Sequence, residues 1–165
     1  MSSPLEKRNV VVDISAIEVS NDPGDTLITY SLGSCLGIVA VDAEAGIAGM
    51  AHCMLPLSKV DPTKAAVKPG MFIDTGVPRL LQMVYNLGAD KGRLEIKVAG
   101  GAQLLDQKGL FRIGERNFTV LRKLLWKNNL LIKTKDIGGE VSRTLSVDVA
   151  TGKVSLKIKG NVTVL

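Results

Sequence analysis

Two residues in this sequence could act as a nucleophile and its base. They are Cys35, one of two cysteines, and His52, the single histidine among 165 residues. A thiol attacks as its thiolate, and near neutral pH an adjacent imidazole is the usual group that removes its proton. Attack on a carboxamide carbon also needs N–H donors for the oxyanion and a third group to orient the imidazole. Gly33-Ser34-Cys35-Leu36-Gly37 puts small residues on both sides of the thiol, where substrate and chain must come close. The backbone of Gly33 and Ser34 could supply the oxyanion donors. Thr29, on one strand face with Leu27 and Ser31, is a candidate to orient the ring. By pattern alone Asp42 and Asp74 are alternatives.

The elements must bring Cys35 and His52 together. Leu36 to Asp42 (LGIVAVD) and Ile47 to Leu55 (IAGMAHCML) read as two strands joined by a few residues that include Gly46, a β-hairpin. Opposed residues in an antiparallel hairpin have a constant index sum set by the turn. With Ala43 to Ala45 in the loop, Asp42 opposes Gly46 and Cys35 opposes Cys53. A loop one residue shorter puts Cys35 opposite His52, where Cβ atoms lie about 4.5–5.5 Å apart. Neighbours on a strand face opposite sides, so His52 is assigned to the site and Cys53 to the core.

Each of these residues also has a plainer explanation. Cysteine is among the most buried residue types, and a cysteine in an apolar strand is more often packing than chemistry. Cys35 and Cys53 could form a cross-strand disulfide in one register. Zinc would need three or four convergent ligands, and one His with no C-x-x-C does not provide them, so neither metal nor cofactor is expected. Gly100-Gly101 and Gly138-Gly139 lack the strand–GxGxxG–helix context of a dinucleotide site. They read as tight turns at strand ends, with Gly100 and Gly101 able to line a cleft at the thiol.

Around the hairpin, Val10 to Ile17 and Leu27 to Ser31 read as strands with a turn at Asn21-Asp22-Pro23-Gly24-Asp25. A helix is expected from an N-cap at Asp74 or Thr75 to Asn86, with Pro78 in its first turn. Leu80, Leu81, Val84, Tyr85 and Leu87 would face inward and Gly88 would cap its end. Arg93 to Ala99 is a strand, and Glu115 to Asn128 a second helix with Val120, Leu121, Leu124 and Leu125 inward. Leu130 to Asp136 is a further strand, and Arg143 to Val149 with Lys153 to Lys159 a last hairpin. About eight strands and two main helices make an α/β layered sandwich of largely antiparallel or mixed sheet, in one domain spanning residues 1–165.

Composition bounds the function classes. Hydrophobic residues make up 45% and charged ones 22%, enough for a core without a disulfide framework. The net charge of +5 favours an acidic protein partner. Lys123, Lys127, Lys133, Lys135, Lys153, Lys157 and Lys159 are scattered, with no basic block and no aromatic ladder, which argues against nucleic acid. The opening MSSPLEKRNVVV lacks a signal pattern, and runs such as Leu36 to Val41 are too short to span a bilayer. A cytoplasmic protein with no membrane insertion is expected.

Several segments carry a family resemblance. They are Leu32-Gly33-Ser34-Cys35, Gly49-Met50-Ala51-His52-Cys53-Met54-Leu55-Pro56, the Asp74-Thr75 helix start, Gly100-Gly101-Ala102, Ile113-Gly114-Glu115-Arg116-Asn117, and Asp136-Ile137-Gly138-Gly139 followed by Arg143. In order and spacing the chain resembles CheD, the chemoreceptor glutamine deamidase family of chemotaxis. The resemblance implies a fold related to deamidating toxins and a triad of Cys35 as nucleophile, His52 as base and Thr29 as orienting residue. It implies as substrate a Gln on the cytoplasmic helical bundle of a chemoreceptor, and as partner the CheC phosphatase. Gln103 and Ser142 depart from residues usual in the family. Two other classes of function are a receptor- or CheC-binding module without catalysis, and a redox-sensing thiol at Cys35.

Overall fold

The computed structural model describes residues 5–104 and 111–165; the first four residues of the Met1–Val12 stretch read above lie outside them. Ten strands form two five-stranded sheets, and helices cover one of these. The first sheet has the order β1 (Arg8–Val11), β3 (Asp25–Leu32), β8 (Arg143–Asp148), β9 (Val154–Ile158), β10 (Asn161–Val164). The second is ordered β2 (Ile17–Ser20), β5 (Ile47–Cys53), β4 (Leu36–Asp42), β6 (Glu95–Gly100), β7 (Ile132–Ile137). Each sheet is mixed: β1–β3 and β6–β7 are parallel and the other pairs antiparallel. The α/β layered sandwich expected from the sequence is the fold observed. Among the described residues, no helix is long and apolar enough to cross a membrane.

The layers follow from the two faces of β4 and β5, whose every residue is buried. Leu36, Ile38, Ala40, Ala51 and Cys53 face α2 (Ile73–Leu87) and α3 (Ile113–Lys127) in one core. Val39, Val41, Ala48 and Met50 face Leu27, Leu145 and Val147 of the first sheet in the other. Continuous apolar strands are what burial on both faces demands.

The expected elements need several corrections. Val10 to Ile17 is not one strand. The chain leaves β1, turns with Ser15 at φ 67°, and starts β2 in the other sheet. The helix expected from Asp74 or Thr75 begins at Ile73, with Phe72 at the N-cap position and no capping side chain. Asp74 instead accepts from the Ser58 N–H and hydroxyl, and Thr75 donates to the Pro69 carbonyl. Pro78 lies one turn deeper than expected, and Leu87 is exposed. Gly88 does cap the helix in the left-handed conformation. The short α1 (Pro62–Val67), with no buried residue, and the exposed β10 gave no pattern to read.

The hairpin register also differs. Asp42 opposes Ile47, not Gly46, so the loop holds four residues and Gly37 opposes His52. The cause lies at the turn. The Asp42 carboxylate, fully buried, accepts from the Ala45 N–H, the Asp90 N–H and both Arg93 nitrogens that reach it. The Arg93 guanidinium holds that carboxyl down at about 2. An aspartate anchored this way ends the strand ahead of a four-residue turn that Gly46 closes at φ 69°.

Candidate active site

The site lies where the chain passes from the first sheet to the second. Thr29 belongs to β3, His52 to β5, and Cys35 to the bend that joins β3 to β4. A bulge between Thr29 and Leu32, with Ser31 at φ 57°, turns the chain out of the first sheet. Ser31 is therefore exposed, while Leu27 and Thr29 still point inward. Cys35, at the bend just before β4, packs against the core between the sheets, the side on which His52 meets Thr29.

Glycine at position 37 is required by packing. A Cβ there would sit 2.8 Å from Leu145, 2.9 Å from Leu32 and 3.5 Å from the Thr29 methyl. Its absence lets the first sheet come close enough for Thr29 to reach His52. Thr29 Oγ1 lies 2.7 Å from His52 Nδ1 and 2.7 Å from the Val12 carbonyl. A hydroxyl has one proton, and the Val12 carbonyl can only accept it. The hydroxyl must then accept from Nδ1–H, which places the imidazole lone pair on Nε2. That atom is buried with no hydrogen-bond partner among the described residues. The backbone of His52 is fixed as well, by Ser15 N–H to its carbonyl and its own N–H to the Ala16 carbonyl.

Burial sets the protonation of both groups. It pushes the Cys35 thiol above its ordinary 9.0, against an opposing pull from the residue's own N–H. It pushes the His52 imidazole below 6.5, against the opposing charge of Asp13. Both shifts favour the neutral form of each group. Cys53 faces the helix side, fully buried, with its sulfur 3.0 Å from where a Gly76 Cβ would be. It cannot bridge to Cys35, and both cysteines are free.

Cys35 opens onto a cleft of about 950 Å³ whose walls include Gly33, Ser34, Gly101, Phe111, Phe118 and Gly139. The N–H groups of Gly33 and Ser34 have no backbone acceptor among the described residues, while the Cys35 N–H faces its own sulfur. Gly101 is differently employed: its N–H donates to the Cys35 carbonyl at 2.9 Å. Gly100 sits behind the bend, where a Cβ would collide with that same carbonyl. Both adopt positive φ. The Gly100 and Gly138 carbonyls are tied together by Arg143, which also pairs with Asp136 at 2.8 Å. Asp42 and Asp74, the other candidates to orient the ring, are engaged at the hairpin turn and at Ser58.

One polar residue, quoted in the sequence only as the end of the Ile113–Asn117 segment, had no role assigned to it there. Asn117, fully buried on α3, donates through Nδ2 to the Ser34 carbonyl and to the Met54 carbonyl, each at 3.0 Å. It joins the bend before Cys35 to the segment after His52. Its Oδ1 is buried without a partner among the described residues, a cost of about 1–3 kcal/mol that packing alone would not keep. Its signals in the sequence were its place in the Ile113–Asn117 resemblance segment and on the inward stripe of an amphipathic helix.

The pattern that describes the CheD chemotactic sensory transduction family matches residues 54–158. The chain belongs to the CheD family. A CheD relative from Syntrophus aciditrophicus (strain SB), named "Probable chemoreceptor glutamine deamidase CheD 1", is 47% identical over 92% of this chain and 95% of its own length. CheD proteins of the same deamidase name from Solibacter usitatus (strain Ellin6076) and Anaeromyxobacter dehalogenans (strain 2CP-C) are 40% and 36% identical. They align over 92% and 90% of this chain and 89% and 93% of their own lengths. The family pattern begins after His52, so the geometry at Thr29, Cys35 and His52 is an argument of its own.

Proposed function

We propose that this CheD-family chain deamidates glutamine side chains of chemoreceptors, with Cys35 as nucleophile, His52 as general base and Thr29 holding the imidazole. The observation that carries the reading is the position of Thr29 Oγ1, 2.7 Å from the Val12 carbonyl and 2.7 Å from His52 Nδ1. With its one proton directed to Val12, the hydroxyl accepts from Nδ1–H and leaves Nε2 as the basic nitrogen.

The chemistry follows in two halves. His52 Nε2 takes the thiol proton as the thiolate attacks the Gln carboxamide carbon. The backbone N–H groups of Gly33 and Ser34, at the bend beside the thiol, would receive the oxyanion. The imidazolium then gives its proton to the departing nitrogen, ammonia leaves, and a thioester remains. Water, deprotonated by His52, attacks the thioester; the C–S bond breaks, the product is Glu, and the thiolate recovers its proton. Among the described residues Nε2 has no partner, and such contacts often form only with substrate in place.

Chemoreceptor cytoplasmic fragments incubated with the protein should release ammonia and gain the mass change of Gln becoming Glu at discrete positions. No change on any fragment would sink the deamidase reading. Fragment binding without turnover, surviving loss of Cys35, would favour the binding-module alternative. The family resemblance also implies CheC as a partner and the cytoplasm as the place of action; co-elution with CheC tests the former.

The pH profile has a defined shape. The active form needs neutral imidazole and a transferable thiol proton. The acid limb of kcat/KM should therefore fall below pH 6.5 and the alkaline limb above pH 9.0, a plateau wider than the free groups would give. The linkage runs the same way. Between the depressed His52 value and 6.5 the unfolded chain binds a proton the folded one does not, so stability drops as pH falls through that window.

Asn117→Ala should cost about 2–4 kcal/mol in urea unfolding, from two stranded carbonyls and a cavity. Because Asn117 spans the nucleophile and base segments, kcat should fall by about ten- to a hundredfold in the fraction that remains folded. A wild-type kcat would show that the clamp is structural only.

A further inference from the structure

The catalytic reading leaves one surface unused. A groove of about 590 Å³ lies between α3 and the edge strand β7, with Phe118, Arg122, Lys123, Trp126, Leu131 and Lys135 among its lining residues. Trp126, the only tryptophan of the chain, is 72% exposed and Leu131 is 78% exposed. Lys133, also in the lining, pairs with Glu95 at 3.1 Å. Arg122, Lys123 and Lys135 have no carboxylate partner among the described residues. The Arg122 and Lys135 cations stand 5.8 and 5.0 Å from the Phe118 ring centre. Lysines on an edge strand commonly guard it against pairing with other chains. That accounts for Lys133 and Lys135, but not for an exposed Trp and Leu set among helix cations.

The groove is continuous with the cleft, because Phe118 lines both. Gly114, at the cleft, is followed along α3 by Phe118, Arg122 and Trp126 at four-residue spacing, one stripe of the helix. At 1.5 Å per residue this stripe is ~18 Å long. We propose that the groove is an exosite, binding an acidic amphipathic helical flank of the same protein whose Gln enters the cleft. Unpaired cations around an apolar floor match Asp or Glu residues interleaved with apolar ones. A single exposed Trp offers no stacking ladder for a nucleic-acid strand. A substrate helix lying along α3 would place the recognised acids about 8–12 residues from the target Gln.

The proposal rests on the deamidase reading and is tested beside it. Kinetics on a chemoreceptor cytoplasmic fragment are compared for wild type, Lys123→Glu and Trp126→Ala, both exposed positions. The exosite predicts a KM about tenfold higher or more, with kcat changed far less. Reversing the fragment's acids at the predicted distance should raise KM for wild type and restore it for Lys123→Glu. Wild-type turnover with unchanged KM in both variants overturns the exosite and leaves the deamidase standing. No wild-type turnover overturns both. Variant-sensitive binding of single-stranded RNA or anionic vesicles, with receptor kinetics unaffected, overturns the acidic-helix occupant.

Discussion

Cys35→Ala is expected to fold as the wild type does and to release no measurable ammonia from receptor fragments. Loss of a nucleophile in sites of this kind costs about four to six orders of magnitude in kcat. The fold should tolerate the change because Cys35 is only half-buried and sits at a bend outside the strands. What anchors that bend is backbone: Gly101 N–H on the Cys35 carbonyl, Ala102 N–H on the Gly33 carbonyl, and Asn117 on the Ser34 carbonyl. None depends on the sulfur. Cys35→Ser should be nearly as inactive, since a serine hydroxyl, far less acidic than a thiol, keeps its proton against an imidazole whose basicity burial has lowered. The measurement is ammonia release with mass spectrometry of the fragment, alongside thermal unfolding of each variant. Turnover by Cys35→Ala within about a hundredfold of wild type would remove Cys35 from the mechanism.

The second large effect concerns the hydroxyl of Thr29. Thr29→Val keeps the shape and removes the group that both donates to Val12 and accepts from His52. The Val12 carbonyl and Nδ1–H then lose their partner, a cost of about 1–3 kcal/mol in stability. Without an acceptor at Nδ1 the proton is free to move to Nε2, the nitrogen that must be basic. A fall in kcat of about 10²–10³ is expected, smaller than for a charged orienting residue whose loss costs ~10⁴. Thr29→Ser restores the hydroxyl and should restore most of the rate. The hydroxyl oxygen also favours imidazolium, so in Thr29→Val the acid limb of the pH profile should move lower still. A rate defect that Thr29→Ser shares equally would mean that the methyl's packing, not the hydrogen bond, matters.

The features legible in the sequence are those that repeat locally. β4 was bounded at Leu36 and Asp42 because every residue between them is apolar or Gly, and the amphipathic stripes of α2 and α3 gave their buried leucines. The opposite orientation of His52 and Cys53 needed only strand periodicity. What the sequence hid depends on partners far along the chain. The register hung on Asp42, whose grip comes from Arg93 and Asp90 in a later connection. The break between β1 and β2 is a turn with Ser15, not Gly, in the left-handed region, so its usual marker was missing. Asn117 looks like any helix polar residue until the carbonyls of Ser34 and Met54 are brought to it.

The three groups of the proposed triad come from two sheets and the strand crossing between them, held in register by apolar contacts such as Leu145 against Leu32 and Gly37. With that triad, activity would be a gauge of how the sheets seat on one another. A compact state that keeps its strands and helices but loosens the seam between the sheets would separate Thr29 from His52 without melting either strand. Under heat or mild denaturant, activity should vanish before far-ultraviolet signals change. Inactivation would then report a slip at the seam, the earliest event in the loss of structure.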